Sequence, residues 1–308
     1  MVKIIRGTGL PNAITKVGDE LLKNISVPHS VEYTNKSVYG NWISKYNDNI
    51  IHSLHIMYTP LYRPNILTTI YDVHPLIFPE ILNPILRLQY KIAYDSLKRC
   101  NKIVAICEFT KQDMIRLLGI NPDKIQVIYC GVDHEKYNNN ISKEEAIKQL
   151  NLDPKYRYIT CVSNISDNKN LQLLNKIEKL LPDDVRIIKA GYGTLWQGTK
   201  IINMGRLLEE QMPLIYRASI MSLHPSLYEG FGLAILEACA CGVPIVAYDN
   251  TTQKEITRNG LVNNEEEFIK RTLYLLDNPQ INYEGMKDSL KFSWKKMAKE
   301  YEKLYEEM

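Results

Sequence analysis

Two glutamates with seven residues between them, Glu229-Gly-Phe-Gly-Leu-Ala-Ile-Leu-Glu237, are the residues best spaced to do chemistry together. The first lies in a glycine-bracketed turn, Tyr228-Glu-Gly-Phe-Gly232, and the second on a run with no helix breaker until Gly242. Eight helical steps of about 100° carry the chain ~80° past two full turns and about 12 Å along the axis. The spacing therefore predicts two acids pointing roughly the same way, with Glu229 near a helix start and Glu237 inside the helix. Backbone N–H groups at that start, those of Phe231, Gly232 and Leu233, can hold an anion. Gly230 and Gly232 let a ligand approach closely. Such a device suits a sugar nucleotide: phosphate at the helix start, hydroxyls for the two carboxylates.

Two further features belong with this pair. Lys169 opens a predicted helix after an apolar strand and a polar loop, where a cation beside a diphosphate would neutralise leaving-group charge. Alone, it reads as a surface lysine. Gly7-Thr-Gly9 follows the first predicted strand, and a glycine turn there fits close approach of a pyrophosphate. An ordinary β–α turn reads the same way, and the third glycine of a dinucleotide fingerprint is missing. That gap disfavours a nicotinamide dehydrogenase.

These residues need a scaffold, and the chain is long enough to give them two domains: 308 residues, 45% apolar and 24% charged. A net charge of +3 argues against a dedicated nucleic-acid binder. Six cysteines include no Cys-x-x-Cys pair, and Cys239-Ala-Cys241 is too close for a zinc knuckle. The histidines lack His-x3-His spacing, so no metal is expected. Buried thiols and a reducing cytoplasm fit this usage. The N-terminal apolar run is too short for a signal segment, and no 18-residue apolar stretch appears, so no membrane span is expected.

Short β-branched runs alternate with helical patterns from Val2 to Tyr129, which predicts a parallel sheet flanked by helices. The rhythm breaks from His134 to Arg157, read here as a linker with one helical piece at Lys143–Leu150. It restarts at Tyr158–Val162, and helices are expected at Lys169–Leu181, Gly232–Cys241 and Ser293–Glu307. Trp294, Met297, Tyr301, Leu304 and Tyr305 form a packing stripe on the last of these. The helix near Pro84–Arg99 carries Arg87, Lys91, Lys98 and Arg99, which fits either a solvated face or peripheral contact with anionic lipid.

The second half contains Tyr216-Arg-Ala-Ser, then Pro225-Ser-Leu-Tyr-Glu-Gly-Phe-Gly, then Leu236-Glu-Ala-Cys-Ala-Cys-Gly-Val-Pro-Ile-Val-Ala247. These segments closely resemble the retaining GT-B glycosyltransferases of family 4. Val104-Ala-Ile-Cys-Glu-Phe-Thr-Lys, Gly131-Val-Asp133, Asn168-Lys-Asn-Leu171 and Phe292-Ser-Trp294 resemble further segments of that family. The matches run from about residue 66 to the C-terminus. The resemblance implies two Rossmann-like α/β domains facing a deep cleft, with no metal required. The corresponding boundaries are 1–152 for an acceptor-side domain, 153–290 for a donor domain, and 291–308 for a helix crossing back to the first.

Site residues follow from the same resemblance. Glu237 would accept hydrogen bonds from the donor ribose, and Glu229 would stand beside the transferred sugar. Lys169 would meet the diphosphate, and Ser163 and Asn164 stand where the family commonly has glycine and arginine. Asn164 can bond phosphate without charge, so Arg206 or another cation would compensate. Thr69-Ile-Tyr-Asp-Val-His-Pro75 resembles a segment near the reaction centre, with Tyr71 where a histidine usually sits. Asp72 is kept there and His74 could take over. His52, His55 and His224 read as structural.

The expected function is transfer of a hexose from a UDP- or GDP-sugar to a hydroxyl of a glycan, lipid-linked or small-molecule acceptor, with the anomeric configuration kept. The alternatives are a nucleotide-sugar epimerase or phosphorylase-like enzyme of the same fold, or a non-catalytic nucleotide-sugar-binding descendant.

Overall fold

The computed structural model describes residues 1–7, 12–34, 49–60, 65–193 and 195–308. It divides into two compact units, Met1–Gly131 with Phe292–Met308, and Val132–Lys291.

The first unit holds a six-stranded sheet: β1 (Val2–Gly7), β2 (His29–Thr34), β3 (Ile50–Ser53), β4 (Ile66–Ile70), β5 (Lys102–Ala105) and β6 (Ile125–Val127), in the order β2-β1-β3-β4-β5-β6. Every pairing among these strands is parallel. β4 is buried along its whole length, as a strand covered on both faces must be. Ile66, Ile70, Ile103 and Ala105 pack against Ala93, Tyr94 and Leu97 of the helical segment beyond Pro84.

The last helix, Trp294–Glu306, belongs to this unit. Ser293 caps it by accepting from the Lys296 N–H. Trp294, Met297, Tyr301, Leu304 and Tyr305 are buried, as their helical spacing predicts. Tyr305 Oη lies 2.7 Å from His52 Nδ1, and Thr69 Oγ1 lies 2.8 Å from both His52 Nε2 and Tyr301 Oη. His52 is therefore a core residue that ties this helix to β3 and β4.

The second unit holds β7 (Arg157–Val162), β8 (Val185–Ala190), β9 (Ile201–Gly205), β10 (Ser219–His224), β11 (Ile245–Tyr248) and β12 (Leu261–Val262), again all parallel. Their order, β12-β11-β10-β7-β8-β9, is the doubly wound arrangement. Side chains alternate across the sheet with period two. Ile159, Cys161 and Ile187 face one cluster with Leu173 and Ile177, while Tyr158, Ile188 and Ala190 face another with Ala146 and Ile215.

The stretch read as a linker is packed structure. Tyr137 is buried, and Ala146, Ile147 and Leu150 join the second unit's core. Its few apolar residues sit among many polar ones, which hid the pattern. The expected boundary at residue 152 compares with a division at Gly131 and Val132.

Candidate functional site

In the second unit the chain winds outward through β7, β8 and β9, then returns to lay β10 on the other side of β7. Loops leaving β7 and β10 therefore diverge, and ligands of doubly wound sheets bind at such a point beyond the strands' carboxyl ends. Lys169 and Glu229 come from those two loops and meet there. The Lys169 ammonium donates to Glu229 Oε1 at 2.7 Å and to Oε2 at 2.8 Å. Each side chain keeps 20% of its surface in solvent, so the pair is shielded yet reachable.

The two loops brace each other. Asn168 Nδ2 donates to the Tyr228 carbonyl at 3.1 Å, and the Leu227 N–H donates to the Asn168 carbonyl at 2.8 Å. From the β11 side, Asn250 Nδ2 donates to the Leu227 carbonyl at 3.0 Å. Thr251 Oγ1 accepts from the Glu229 N–H at 3.4 Å and donates to Gln253 Oε1 at 2.7 Å. This polar frame fixes where the Glu229 carboxylate points.

Burial would raise the Glu229 carboxyl pKa, but the Lys169 charge and hydrogen bonds, a bond from Ser226 and the nearby His224 more than offset it, and the pKa is lowered. His224 ends β10, is 5% exposed, and has Nε2 2.9 Å from Ser222 Oγ. Burial pushes its imidazole pKa down to about 4, with Glu229 pulling it up and Lys169 adding to the fall. At neutral pH the site thus holds a carboxylate, an ammonium and a neutral imidazole.

Two expectations about local structure change here. The helix starts at Leu233, so Glu229 lies four residues before it in non-helical chain. The helical phase that would align Glu229 with Glu237 does not operate; the loop frame sets Glu229's direction instead. Likewise Lys169 ends the short 3-10 turn Asp167–Lys169, and the following helix begins at Gln172.

Gly232, with φ +95° and ψ 48°, turns the chain into the helix Leu233–Ala240, a left-handed conformation costly for other residues. The Ile235 and Leu236 N–H groups bond the Gly232 carbonyl, so the Leu233 and Ala234 amides precede the first intrahelical bonds and are the ones open to an anion. Gly230 leads into this turn, and Phe231 is 3% exposed and packs inward. Glu237 sits in the middle of the helix at 6% exposure, where Tyr216 Oη donates to its Oε2 at 3.1 Å. Tyr137 packs beside Tyr216, with ring centroids 6.4 Å apart and the rings tilted at 56°. Burial, then the Glu237 charge, raises the pKa of both phenols, so both stay protonated and able to donate.

Asn164 follows β7, is exposed, and its Oδ1 accepts from the Tyr192 N–H at 3.0 Å. Arg206 follows the last residue of β9 and is exposed, with no hydrogen bond or ion pair among the described residues. Both occupy the carboxyl-end rim of the sheet that also carries Lys169 and Glu229.

The first unit places the remaining candidates after its own strands. Asp72 Oδ1 accepts from the His74 N–H at 2.9 Å, an Asx turn that starts the helix His74–Ile77. The His74 ring lies 4.8 Å from that of Phe78. Tyr94 Oη donates to the Asp72 carbonyl at 3.1 Å. Tyr71 is buried, its ring stacks 6.5 Å from His55, and its hydroxyl has no hydrogen-bond partner among the described residues. Gly7 ends β1, where a Cβ would collide with the Tyr58 ring. Its smallness thus serves internal packing. Gly9 lies outside the described residues.

Sequence reasoning missed Tyr216, Tyr137, Ser226 and Thr251, and took His224 as structural. Tyr216 stood inside a quoted motif, so its position carried a signal. So did Ser226, while Tyr137 and Thr251 are ordinary residues made relevant by where distant segments meet.

Two Rossmann-like α/β units, the second with a cation–carboxylate pair and a glycine-started helix at its switch point, place the chain in the class of doubly wound α/β proteins, whose ligands bind at that point. Comparison with known proteins narrows the class. The pattern of the family described as Glycosyl transferases group 1 matches residues 142–293, and that of Glycosyltransferase Family 4 matches residues 19–136. The chain is 29% identical over 282 residues to O-antigen chain mannosyltransferase B of Escherichia coli, covering 81% of this chain and 72% of the relative. It is 27% identical over 237 residues to the Escherichia coli UDP-Gal:alpha-D-GlcNAc-diphosphoundecaprenol alpha-1,3-galactosyltransferase, covering 69% of this chain and 61% of that one. Its fold matches Anabaena HepE in complex with UDP-glucose, with a TM-score of 0.78 at 16% identity over 100% of this chain and 99% of that chain. The chain belongs to the family-4 glycosyltransferases and has the GT-B fold. It is a glycosyltransferase enzyme.

Proposed function

We propose that the enzyme moves a hexose from a UDP- or GDP-sugar to a hydroxyl of a glycan, lipid-linked or small-molecule acceptor, with retention at the anomeric carbon. The observation that carries this reading is the Lys169–Glu229 pair at the β7/β10 switch point, with Glu229 four residues ahead of the glycine-started helix. Lys169 and the Leu233 and Ala234 amides would take the diphosphate. Glu237, already held by Tyr216, would accept from the ribose hydroxyls. Glu229 would orient the sugar and oppose positive charge developing at its anomeric carbon. The bond from that carbon to the diphosphate oxygen breaks, the acceptor oxygen bonds to the same face, and the acceptor proton leaves with the diphosphate. No covalent nucleophile and no metal are needed, because Lys169 and the helix start supply the positive charge. Asp72 and His74 would serve the acceptor side.

The test is a transfer assay over UDP- and GDP-sugars, with and without chelator, beside Lys169→Ala and Glu237→Ala. Free nucleoside diphosphate plus glycoside is expected, with both variants impaired and the chelator without effect. Unchanged turnover in both variants would sink the site assignment. An isomerised donor, or nucleotide binding without turnover, would replace transfer with epimerisation or binding alone.

Peripheral contact with anionic membrane is part of the proposal. Ile85 and Leu88 are 72% and 54% exposed on the helix Pro84–Ser96 beside Arg87 and Lys91, and Ile81, in the turn before it, is 48% exposed. No helix among the described residues is long and apolar enough to cross a membrane. Flotation with anionic but not neutral vesicles, lost in Ile85→Ser/Leu88→Ser, is expected; equal recovery from both vesicle types would refute it. Free buried cysteines at all six positions support work in a reducing cytoplasm.

A further inference from the structure

Lys189 is a buried cation that the donor reading leaves without a role. It lies near the end of β8 and is 4% exposed. Ile187, two residues earlier, packs with Cys161, Leu173 and Ile177, so Lys189 faces the same side of the sheet. That side lies under the loop bearing Lys169, which leads into the helix of Leu173 and Ile177. The ammonium donates to the Ser163 carbonyl and, at 3.0 Å, to the Ala190 carbonyl. Among the described residues it forms no ion pair.

A buried ammonium held only by carbonyl dipoles is costly, and an apolar side chain of similar volume would serve packing better. Burial lowers its pKa from the usual lysine value, with Cys161 acting in the opposite direction. Burial pushes the Cys161 thiol up to about 11, with Lys189 and Lys169 acting against the rise and Glu229 adding to it. Asn164, next to the Ser163 carbonyl that Lys189 holds, brings no charge to this rim. Arg206 is exposed and takes no part in the Lys169–Glu229 pair.

We propose that Lys189 is the second cation of the donor site, a positioning residue that holds the Ser163–Asn164 turn and offsets the charge of a bound diphosphate from beneath it. The inference rests on the donor reading above. It explains why a cation is kept in an otherwise apolar position: its counter-charge arrives with the ligand.

Calorimetry on the full chain with UDP and with GDP tests this in wild type, Lys189→Met, Lys189→Arg and Lys169→Ala. Lys189→Met should weaken diphosphate binding about tenfold, the equivalent of ~1.4 kcal/mol. Lys189→Arg should restore most of it. Binding of uridine or guanosine, followed by saturation-transfer NMR, should not change, and KM for the donor should rise with kcat nearly kept. Lys189→Gln provides the same comparison should methionine there fail to fold. Parallel loss of nucleoside and diphosphate affinity would show a merely structural lysine and overturn the inference. So would unchanged diphosphate affinity in both neutral variants while Lys169→Ala loses it. A wild type that binds neither UDP nor GDP overturns the donor reading itself, and this inference with it.

Discussion

Glu229→Gln should move binding and transfer in opposite directions. The substitution keeps the side-chain volume and one acceptor oxygen but removes the charge. At 2.7 Å and an effective dielectric of about 20, the Lys169–Glu229 attraction is about 6 kcal/mol before desolvation is charged against it. Desolvation and the 20% solvent exposure of each side chain leave a net contribution of about 1–2 kcal/mol. A diphosphate drawn to Lys169 also meets the Glu229 carboxylate. With a phosphate oxygen about 5 Å away, that repulsion is ~3 kcal/mol per unit charge at the same dielectric, and solvent reduces it to about 1 kcal/mol. Its removal should tighten UDP or GDP binding about fivefold, while transfer falls roughly a hundredfold for want of charge beside the anomeric carbon. The melting temperature should drop by roughly 2–8 °C. Calorimetry with the diphosphate, initial transfer rates and a thermal melt read the three quantities. Diphosphate binding that weakens tenfold, or turnover within threefold of wild type, would refute the reasoning.

Other perturbations follow from the same geometry. Because the Glu229 carboxyl pKa is lowered, its ion pair contributes stability above the unfolded carboxylate pKa and loses it as pH falls through the folded value; melts of wild type below pH 4.5 should show an acid loss that Glu229→Gln lacks. Tyr216→Phe removes a donor from the buried Glu237 and should cost about 1–3 kcal/mol in chemical denaturation, with donor KM raised more than kcat is lowered. Gly7→Ala drives a methyl into the Tyr58 ring and should cost about 1–3 kcal/mol, relieved when Tyr58→Ala is added; an additive double mutant would deny the contact. Burial lowers the His52 pKa to about 3, so its stabilisation is full above the unfolded pKa near 6.5 and declines as pH falls. About 2 kcal/mol should be gone at pH 5, and urea midpoints of His52→Gln should show a shallower pH slope.

Local pattern made most of the elements legible. Val2–Gly7, Ile50–Ser53, Val185–Ala190 and Ile245–Tyr248 are β-branched runs of strand length, and the stripe from Trp294 to Tyr305 has helical period. Those signals depend on neighbours within a turn or a pleat, so a single sequence displays them. Tyr283–Ser289 and the two-residue β12 were missed, because segments so short lack enough residues to show a period. The segment from His134 to Arg157 looked like a linker because its buried residues are few and find partners distant in sequence, such as Ile188 and Leu214.

The site divides in the same way. Sequence alone singled out Glu229, Gly232, Glu237 and Lys169 as one set, through motif types and the glycine that a left-handed turn requires. Only tertiary structure decided how they act. Strand order brings the β7 and β10 loops side by side, so Lys169 meets Glu229 across sixty residues of chain, a pairing no local period encodes. It also replaced helical phase with a loop frame as the reason Glu229 points where it does. It gave Glu237 a tyrosine partner and set Lys189 beneath the rim. Such facts depend on which strands lie next to each other, and that is fixed by packing of the whole sheet and not by any stretch of it.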